Sequence, residues 1–264
     1  MCVSNKAKIR EDAMSLNPMD DALFQKMAED IGFCQEILQV ILDDRKLEVL
    51  DNMPQFAVKN LQGRSCILDV KCSLGNGHIV NIEVQKADDD DHQRRVRYNG
   101  ALLTTNIAEP GKRFINVPDV IVVFISRFDV FKSDRALYHV DRIVRETGEL
   151  ADNGFVEVYV NSVNDDQSDV AELMRIFTED DAYNYEKFPA TSSRKSRFKL
   201  TEEGVNEMCE VIERNRAEGR AEGIGSVNKL NAILIAARRF ADLERATKDS
   251  AYQAQLLKEL LSEA

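Results

Sequence analysis

Apolar residues recur along the chain with helical spacing in several segments. From Asp20 to Leu42 they return every three or four positions, with Gly32 as a break, which predicts two short helices. The same spacing in Gln93–Ile107 predicts a longer helix. Asp169–Phe177 and Thr201–Glu218 also show it, so two more helices are expected in the second half of the chain.

Other segments have the two-residue alternation or the β-branched composition of strands. Three of them lie close together in the first third of the chain: Gln55–Lys59, Ser65–Ser73 and His78–Lys86. The turn-like sequences LQGR (61–64) and Gly75-Asn76-Gly77 separate them, which predicts an antiparallel meander. Pro118 precedes DVIVVFIS, a run that predicts a strand buried on both faces. Two further strands are predicted at Ala136–Val144 and Phe155–Asn161.

Changes of composition divide the chain into three predicted regions. Residues 1–164 contain the predicted strands and are expected to form the core domain. In residues 165–215, helices flank the basic, Ser-rich sequence TSSRKSRFK, which we expect to be a mobile loop in a region that packs on the core. Residues 216–264 begin with RAEGRAEG, and glycines one turn apart before a Leu- and Ala-rich stretch predict a helical tail. This tail fits an extended surface helix and a self-association helix equally well.

Composition and charge narrow the class of protein. The chain is 44% hydrophobic and 31% charged, which is typical of a soluble globular protein. A net charge of −11 argues against a general nucleic-acid coat protein but leaves room for a nuclease, because a metal site is itself acidic. No apolar run approaches the roughly 18 residues of a membrane span, and the start lacks a signal-peptide core, so we expect a cytoplasmic protein. Neither a GxxxxGK[ST] loop nor a GxGxxG motif occurs, so nucleotide hydrolysis and dinucleotide chemistry have no support.

The segment IVNIEVQ combines an apolar face with a polar face on one predicted strand. Because side chains alternate along a strand, Asn81, Glu83 and Gln85 project to the same side. On the preceding strand Asp69 and Lys71 share a face, so a hairpin that joins the polar faces brings Asp69 to Glu83. Facing carboxylates repel one another, but Mg²⁺ is commonly held by one or two carboxylates. The alternative is a solvated polar face of a half-exposed sheet.

Five segments together resemble the PD-(D/E)XK nuclease family transposases, also called recombination-promoting nucleases. They are DALFQK from Asp21, ILDVKC and VNIEVQ on the core strands, RRVRY from Arg94, and the terminal RAEGRAEG. The resemblance implies an α/β fold, a restriction-endonuclease-like core with a central mixed sheet flanked by helices, here followed by the helical C-terminal region. It also implies hydrolysis of phosphodiester bonds in DNA with Mg²⁺ or Mn²⁺ as cofactor, in transposition or recombination.

The resemblance also assigns roles to single residues. Asp69 and Glu83 would bind the metal, and Asp21 would complete the metal shell. Gln85 stands where many relatives have a catalytic lysine. A neutral amide can orient water or a phosphate oxygen but cannot supply positive charge, so Lys71, on the face of Asp69, is the candidate for a displaced charge. Asp21 fits equally well as an acidic residue that favours a helix N-terminus.

Two basic clusters are candidates for contact with the DNA backbone. They are Arg94, Arg95 and Arg97 in the predicted crossover helix, and Arg194, Lys195, Arg197 and Lys199 within TSSRKSRFK. Four consecutive Asp residues precede the first cluster, so a solvated helix face with local ion pairs is an even alternative. No acid interrupts the second cluster, which makes it the stronger electrostatic footprint.

These observations predict a metal-dependent DNA endonuclease that acts on DNA as a homo-oligomer and has no membrane segment. The alternative is a nuclease-fold protein with weak or lost cleavage that serves as a DNA-binding or self-association module.

Overall fold

The computed structural model describes residues 2–60 and 63–261 of the chain. The helices are α1 (Cys2–Ser15), α2 (Asp21–Met27), α3 (Ile31–Ile41), α4 (His92–Ile107), α5 (Asp169–Thr178), α6 (Pro189–Leu200), α7 (Glu202–Ala236), α8 (Phe240–Lys248) and α9 (Ser250–Leu261). The strands are β1 (Val49–Val58), β2 (Cys66–Leu74), β3 (Ile79–Gln85), β4 (Val120–Ser126), β5 (Leu137–Val140) and β6 (Phe155–Asn161). Of the predicted LQGR turn between β1 and β2, Leu61 and Gln62 lie outside the described residues.

The strands form one mixed sheet in the order β1-β2-β3-β4-β6-β5. The first three are antiparallel neighbours, whereas β4 runs parallel to both β3 and β6. Parallel neighbours need a crossover connection, and α4 lies in the connection between β3 and β4. The predictions of an antiparallel meander, a crossover helix and an α/β fold with helices around a mixed sheet are therefore confirmed.

Helix α4 packs closely against the sheet. Val96 and Leu103 of the helix share one apolar core with Val122 and Phe124 of β4. Between them the helix carries Gly100, where a Cβ atom would overlap the ring of Phe155. A residue without a side chain at this point lets the helix backbone approach the sheet, so residues on either side of it are held near the strands.

The basic sequence TSSRKSRFK forms most of helix α6, so the prediction of a mobile loop was wrong. Pro189 occupies the start of this helix, a position that favours proline. The carboxylate of Glu36 in α3 accepts hydrogen bonds from the backbone N–H groups of Ala190 and Thr191, at 2.9 and 2.7 Å. A cap supplied by a distant helix leaves no local sequence signal, and the Ser-rich composition therefore suggested a loop.

Other boundaries also differ from the prediction, such as the start of β1, which lies at Val49 and not at Gln55. Strand β5 is an edge strand of four residues, and only an isolated bridge between Ile143 and Leu150 continues the pairing expected up to Val144. Helix α7 does not end near Glu218 but continues to Ala236. Its glycines did not terminate it, because glycine lowers helix stability without forbidding the conformation.

The chain divides into two compact units, Met1–Met208 and Cys209–Ala264. The first unit contains the sheet. In the second unit, Leu230 and Leu234 of α7 pack with Ala246 of α8 and Leu256 of α9 in a small apolar core. Within the described residues, no helix has the length and apolar character needed to span a membrane.

Candidate active site

The site lies where strands β2 and β3 separate. Their ladder pairs Lys71 with Asn81, which joins the polar faces as the alternation predicted, and it ends at Val70 opposite Ile82. One step further along each strand lie Asp69 and Glu83. The backbone N–H of the next residue, Val84, donates a 2.8 Å hydrogen bond to Asp69 Oδ2. Where the ladder ends, the Asp69 side chain therefore accepts the hydrogen bond of the β3 backbone, and the carboxyl groups of Asp69 and Glu83 become neighbours.

Glu83 is a buried acid with one free oxygen. Its residue surface is 1% exposed. Oε1 accepts hydrogen bonds from Asn81 Nδ2 at 2.8 Å and from Asn99 Nδ2 of α4 at 3.2 Å. Among the described residues, neither Glu83 Oε2 nor Asn81 Oδ1 receives a hydrogen bond, although both are buried. An unsatisfied buried oxygen is destabilising, so these two acceptors could take a hydrogen-bond donor or a cation from outside the chain.

The two carboxyl groups hold their protons more tightly than ordinary acids. Burial raises the pKa of Glu83 to about 7, and the negative charge of Asp69 acts in the same direction. Burial also raises the pKa of Asp69 to about 6 against the effect of the Val84 hydrogen bond, and Asp21 contributes to the increase. Adjacent acids with raised pKa values are typical of functional sites, where a cation relieves the repulsion.

A guanidinium group from α4 lies beside these acids. Arg95 Nη1 donates a 2.8 Å hydrogen bond to Gln85 Oε1, and Arg95 Nη2 lies 3.6 Å from Glu83 Oε2. Gln85 Nε2 in turn donates to the carbonyl oxygen of Ala87 at 3.0 Å, so both ends of this amide are held. Arg95 acts to lower the pKa of Asp69 and of Glu83, although burial outweighs it.

The family model described as PD-(D/E)XK nuclease family transposase matches residues 23–160, more than half of the chain, from α2 into β6. The chain belongs to this family. PD-(D/E)XK nucleases usually use divalent metals, and membership suggests a phosphodiester hydrolase with a nuclease or transposase-like function. No curated protein and no solved structure matches the chain at a significant level.

The acids of this PD-(D/E)XK chain include Asp21, two residues before the matched segment. It is the first residue of α2, and burial and the charge of Asp20 raise its pKa. It also interacts electrostatically with Asp69 and with Arg95, so it faces the site. Within residues 2–60 and 63–261, however, no three His, Cys, Asp or Glu residues are grouped closely enough to hold a metal ion. The described residues therefore form no preformed shell of three carboxylates, and a metal-binding role for Asp21 stays a prediction.

The two lysines near Asp69 and Gln85, Lys71 and Lys86, contact residues outside the site. Lys71 Nζ lies 4.7 Å from the centre of the Phe56 ring. Lys86 Nζ forms a 2.6 Å ion pair with Asp20 Oδ1. Among the residues that the structure describes, Lys71 thus has no contact that would support its expected role as the displaced catalytic charge.

The three arginines of the RRVRY segment have three different environments. Arg95 lies in the site, whereas Arg94 is exposed and pairs with Asp91 at 3.2 Å. Arg97 is exposed and has no acidic partner in the described part of the chain. Arg97 is thus the one of the three that is free to contact a DNA backbone outside the site.

Both lysines of the second basic cluster are buried in the protein. Lys195 is fully buried, and its ammonium donates to the carbonyl oxygens of Ile176 at 2.9 Å, Ala182 at 3.2 Å and Glu179. Lys199 Nζ, also buried, forms a 2.9 Å ion pair with Asp180. These contacts give no support to DNA binding by either lysine.

The two arginines of this cluster also have protein partners. Arg197 pairs with Glu207 at 2.9 Å, and Arg194 donates to the carbonyl oxygen of Lys26 at 2.7 Å. No acid interrupts the cluster in the sequence, but acids from the segments before and after it, Asp180 and Glu207, pair with Lys199 and Arg197 in the structure.

Sequence reasoning missed one polar residue of the site, Asn99. A signal for it was present, since Asn99 follows Arg95 by four positions and therefore lies on the same face of α4. Both residues occupy the side of the helix that meets β3, which the apolar spacing alone did not identify.

Proposed function

We propose that the protein is a Mg²⁺-dependent endonuclease that hydrolyses phosphodiester bonds in DNA, in the context of transposition or recombination. The observation that carries this proposal is Glu83 Oε2, a buried carboxylate oxygen without a hydrogen-bond donor beside a second buried acid, Asp69. Mg²⁺ prefers oxygen ligands and often takes only one or two from the protein, with water and substrate phosphate supplying the rest. The carboxylates of Asp69 and Glu83 fit that requirement.

The side chains around the site have distinct roles in this proposal. Asp69 and Glu83 would hold the ion. When bound, a divalent cation supplies positive charge that stabilises the negative charge developing on the phosphate. Asn81 and Asn99 fix Glu83 Oε1, so Oε2 keeps its direction before substrate arrives. Gln85 would orient the attacking water or a phosphate oxygen with the amide N–H that is not bonded to Ala87.

Plasmid cleavage tests the proposal directly. We expect the wild-type protein to nick supercoiled DNA with Mg²⁺ or Mn²⁺ and to lose this activity in EDTA. Asp69→Ala, purified in the same way, should show only the EDTA level, because the remaining carboxylate holds the ion poorly. Isothermal titration with Mn²⁺ should show weakened metal binding by the variant. Equal cleavage by both proteins would point to a contaminating nuclease and contradict the assignment.

A binding function without cleavage is the second candidate, and Gln85 is the observation that favours it. A site with an amide in place of the usual lysine lacks the ammonium that many relatives have. If the wild-type protein binds DNA and Mn²⁺ but leaves plasmid intact under all conditions, a binding function without cleavage replaces the endonuclease proposal.

Self-association through the RAEGRAEG segment is part of the same proposal. Gly219 and Gly223 lie inside α7, and apart from the adjacent residues and the helix's own backbone, no atom of the described residues is within 4 Å of a Cβ placed at either position. Each exposed glycine lowers helix stability by about 1 kcal/mol relative to alanine, so their presence is unexplained in a single chain. A second helix could approach along this face.

Leucine substitutions on two faces of α7 test this association by sedimentation velocity. Gly219→Leu with Gly223→Leu should convert an oligomer to a monomer, because the added side chains block the glycine face while favouring the helix. Ala217→Leu with Ala221→Leu is the matched control, since two positions along a helix point to a different face. A monomeric wild type, or the same change in both variants, would show that the glycine face has no such role.

A further inference from the structure

We propose that Arg95 supplies the positive charge that Gln85 cannot provide, so that the cation of the site comes from α4 instead of from strand β3. The inference rests on the proposed nuclease function and assigns a substrate-contacting group to it. Its basis is the hydrogen bond of Arg95 to the amide of Gln85, at the position where many relatives have a lysine.

The guanidinium lies near Asp21, Asp69 and Glu83 but forms no hydrogen bond with any of these acids in the described residues. Its one close hydrogen bond within the described residues goes to Gln85, which is neutral. The separation of 3.6 Å between Arg95 Nη2 and Glu83 Oε2 is too long for a hydrogen bond, and that oxygen remains unsatisfied. An arginine whose role was to neutralise Glu83 would be expected to form a bidentate pair with it.

The guanidinium is also accessible to a ligand. The Arg95 side chain is 37% exposed, whereas that of Glu83 beside it is 2% exposed. Guanidinium has five N–H donors and stays protonated at all relevant pH values, and among the described residues only one of its donors forms a close hydrogen bond. The remaining donors match the oxygen atoms of a phosphate.

The position of Arg95 is set before any substrate binds. Its helix is anchored on the sheet by Val96 and Leu103 and by the close approach at Gly100. One turn further along, Asn99 is hydrogen bonded to Glu83. A charge held this firmly next to two acids stabilises a developing negative charge without further reorganisation.

Moving the charge from the helix to the strand tests the inference. We expect Arg95→Ala to lower kcat/KM for DNA cleavage by about 100-fold, the typical effect of removing one preorganised donor. Adding Gln85→Lys to Arg95→Ala should recover at least about ten-fold of this loss, because the two positions act on the same group. In the wild-type background Gln85→Lys places the new lysine beside Arg95, so two cations lie together and kcat/KM should not rise. A structural role for Arg95 would not be repaired by a charge on another element.

Arg97→Ala is the matched comparison, because it removes one exposed cation from the same helix. It should weaken DNA binding and lower the slope of log affinity against log salt by about one, as expected for a lost phosphate contact. Gln85→Lys should not repair that loss. Binding of a short DNA duplex in EDTA, followed by fluorescence anisotropy, gives a readout that does not depend on cleavage.

The possible outcomes distinguish a failure of the inference about Arg95 from a failure of the proposed nuclease function. If Asp69→Ala is inactive but Arg95→Ala cleaves like the wild type, Arg95 is not the missing charge and the endonuclease assignment stands. If Arg95→Ala is inactive, remains folded and is not improved by Gln85→Lys, the inference is also overturned. If the wild type itself does not cleave, the endonuclease proposal fails. The anisotropy data then decide the inference. It requires that Arg95→Ala binds the DNA duplex more weakly than the wild type and that adding Gln85→Lys to Arg95→Ala recovers this binding.

Discussion

Glu83→Gln is expected to abolish metal-supported cleavage and, in the metal-free protein above pH 7, to raise the melting temperature by several degrees. Both effects come from the same carboxyl group. With metal and DNA present, Glu83 provides an anionic oxygen that an amide cannot replace. Without metal, the same buried anion repels Asp69 and lacks a donor on Oε2. Glutamine keeps the shape of the side chain and removes the charge.

The pH dependence gives the sign of the stability effect. Burial raises the pKa of Glu83 from 4.5 to about 7, so between these values the folded state binds more protons than the unfolded state. The free energy of unfolding therefore falls as pH rises through this window, and the whole penalty is present above it. We expect Glu83→Gln to recover on the order of 1–3 kcal/mol at pH 8, where the shift in proton affinity is fully expressed.

Thermal unfolding in EDTA at pH 5 and pH 8 measures this effect. The wild type should lose more stability between the two pH values than Glu83→Gln does. Glu157→Gln is the matched control, because Glu157 is a largely buried acid of β6 that accepts a hydrogen bond from Tyr159 and pairs with Arg142. It should cleave DNA normally and gain no stability at pH 8. A Glu83→Gln variant that melts no higher than the wild type at pH 8 would contradict the account of the site.

Lys195→Met is expected to lower the free energy of unfolding of the first unit by about 1–3 kcal/mol, because buried carbonyl groups lose their donor. Lys195 is fully buried, and its ammonium binds the carbonyl oxygens of Ile176, Glu179 and Ala182 at the end of α5. Burial lowers the pKa of this lysine to about 8, with the charge of Lys199 as a further cause. The side chain therefore stabilises the turn after α5 although its charged form is disfavoured.

Chemical denaturation and DNA binding together test this role. Lys187→Met is the control, since Lys187 is partly exposed and its ion pairs with Asp169 and Glu172 lie at the surface. Surface pairs contribute at most about 1 kcal/mol, so the control should remain close to the wild type. The salt dependence of DNA binding should be the same for Lys195→Met and the wild type. A lower salt slope in Lys195→Met would restore the DNA-contact role predicted from the sequence.

Local patterns were sufficient for most of the sheet. Alternation placed Asn81, Glu83 and Gln85 on one side of β3, and the register pairs Asn81 with Lys71 on the polar face of β2. The continuous apolar run identified β4 as a strand with both faces buried. Such patterns depend on the residues of one strand and its neighbour, so they can be read without knowledge of the whole fold.

The interior of the site depends on contacts between distant segments. The positive charge was expected from Lys71, because that residue lies on the strand beside Asp69. The structure instead brings Arg95 to Gln85 through the packing of α4, which the close approach at Gly100 permits. The burial of Lys195 was missed for a similar reason, since its partners are backbone carbonyl groups that any sequence contains.

The hydrogen bond from Val84 to Asp69 connects the backbone of β3 to the electrostatics of the site. An amide proton shared with a carboxylate changes its chemical shift when that carboxylate gains a proton or binds a cation, because the strength of the hydrogen bond changes. The Val84 N–H is therefore an intrinsic spectroscopic reporter of Asp69. A single resonance in an NMR titration would follow occupation of the site without a substrate, a label or a substitution.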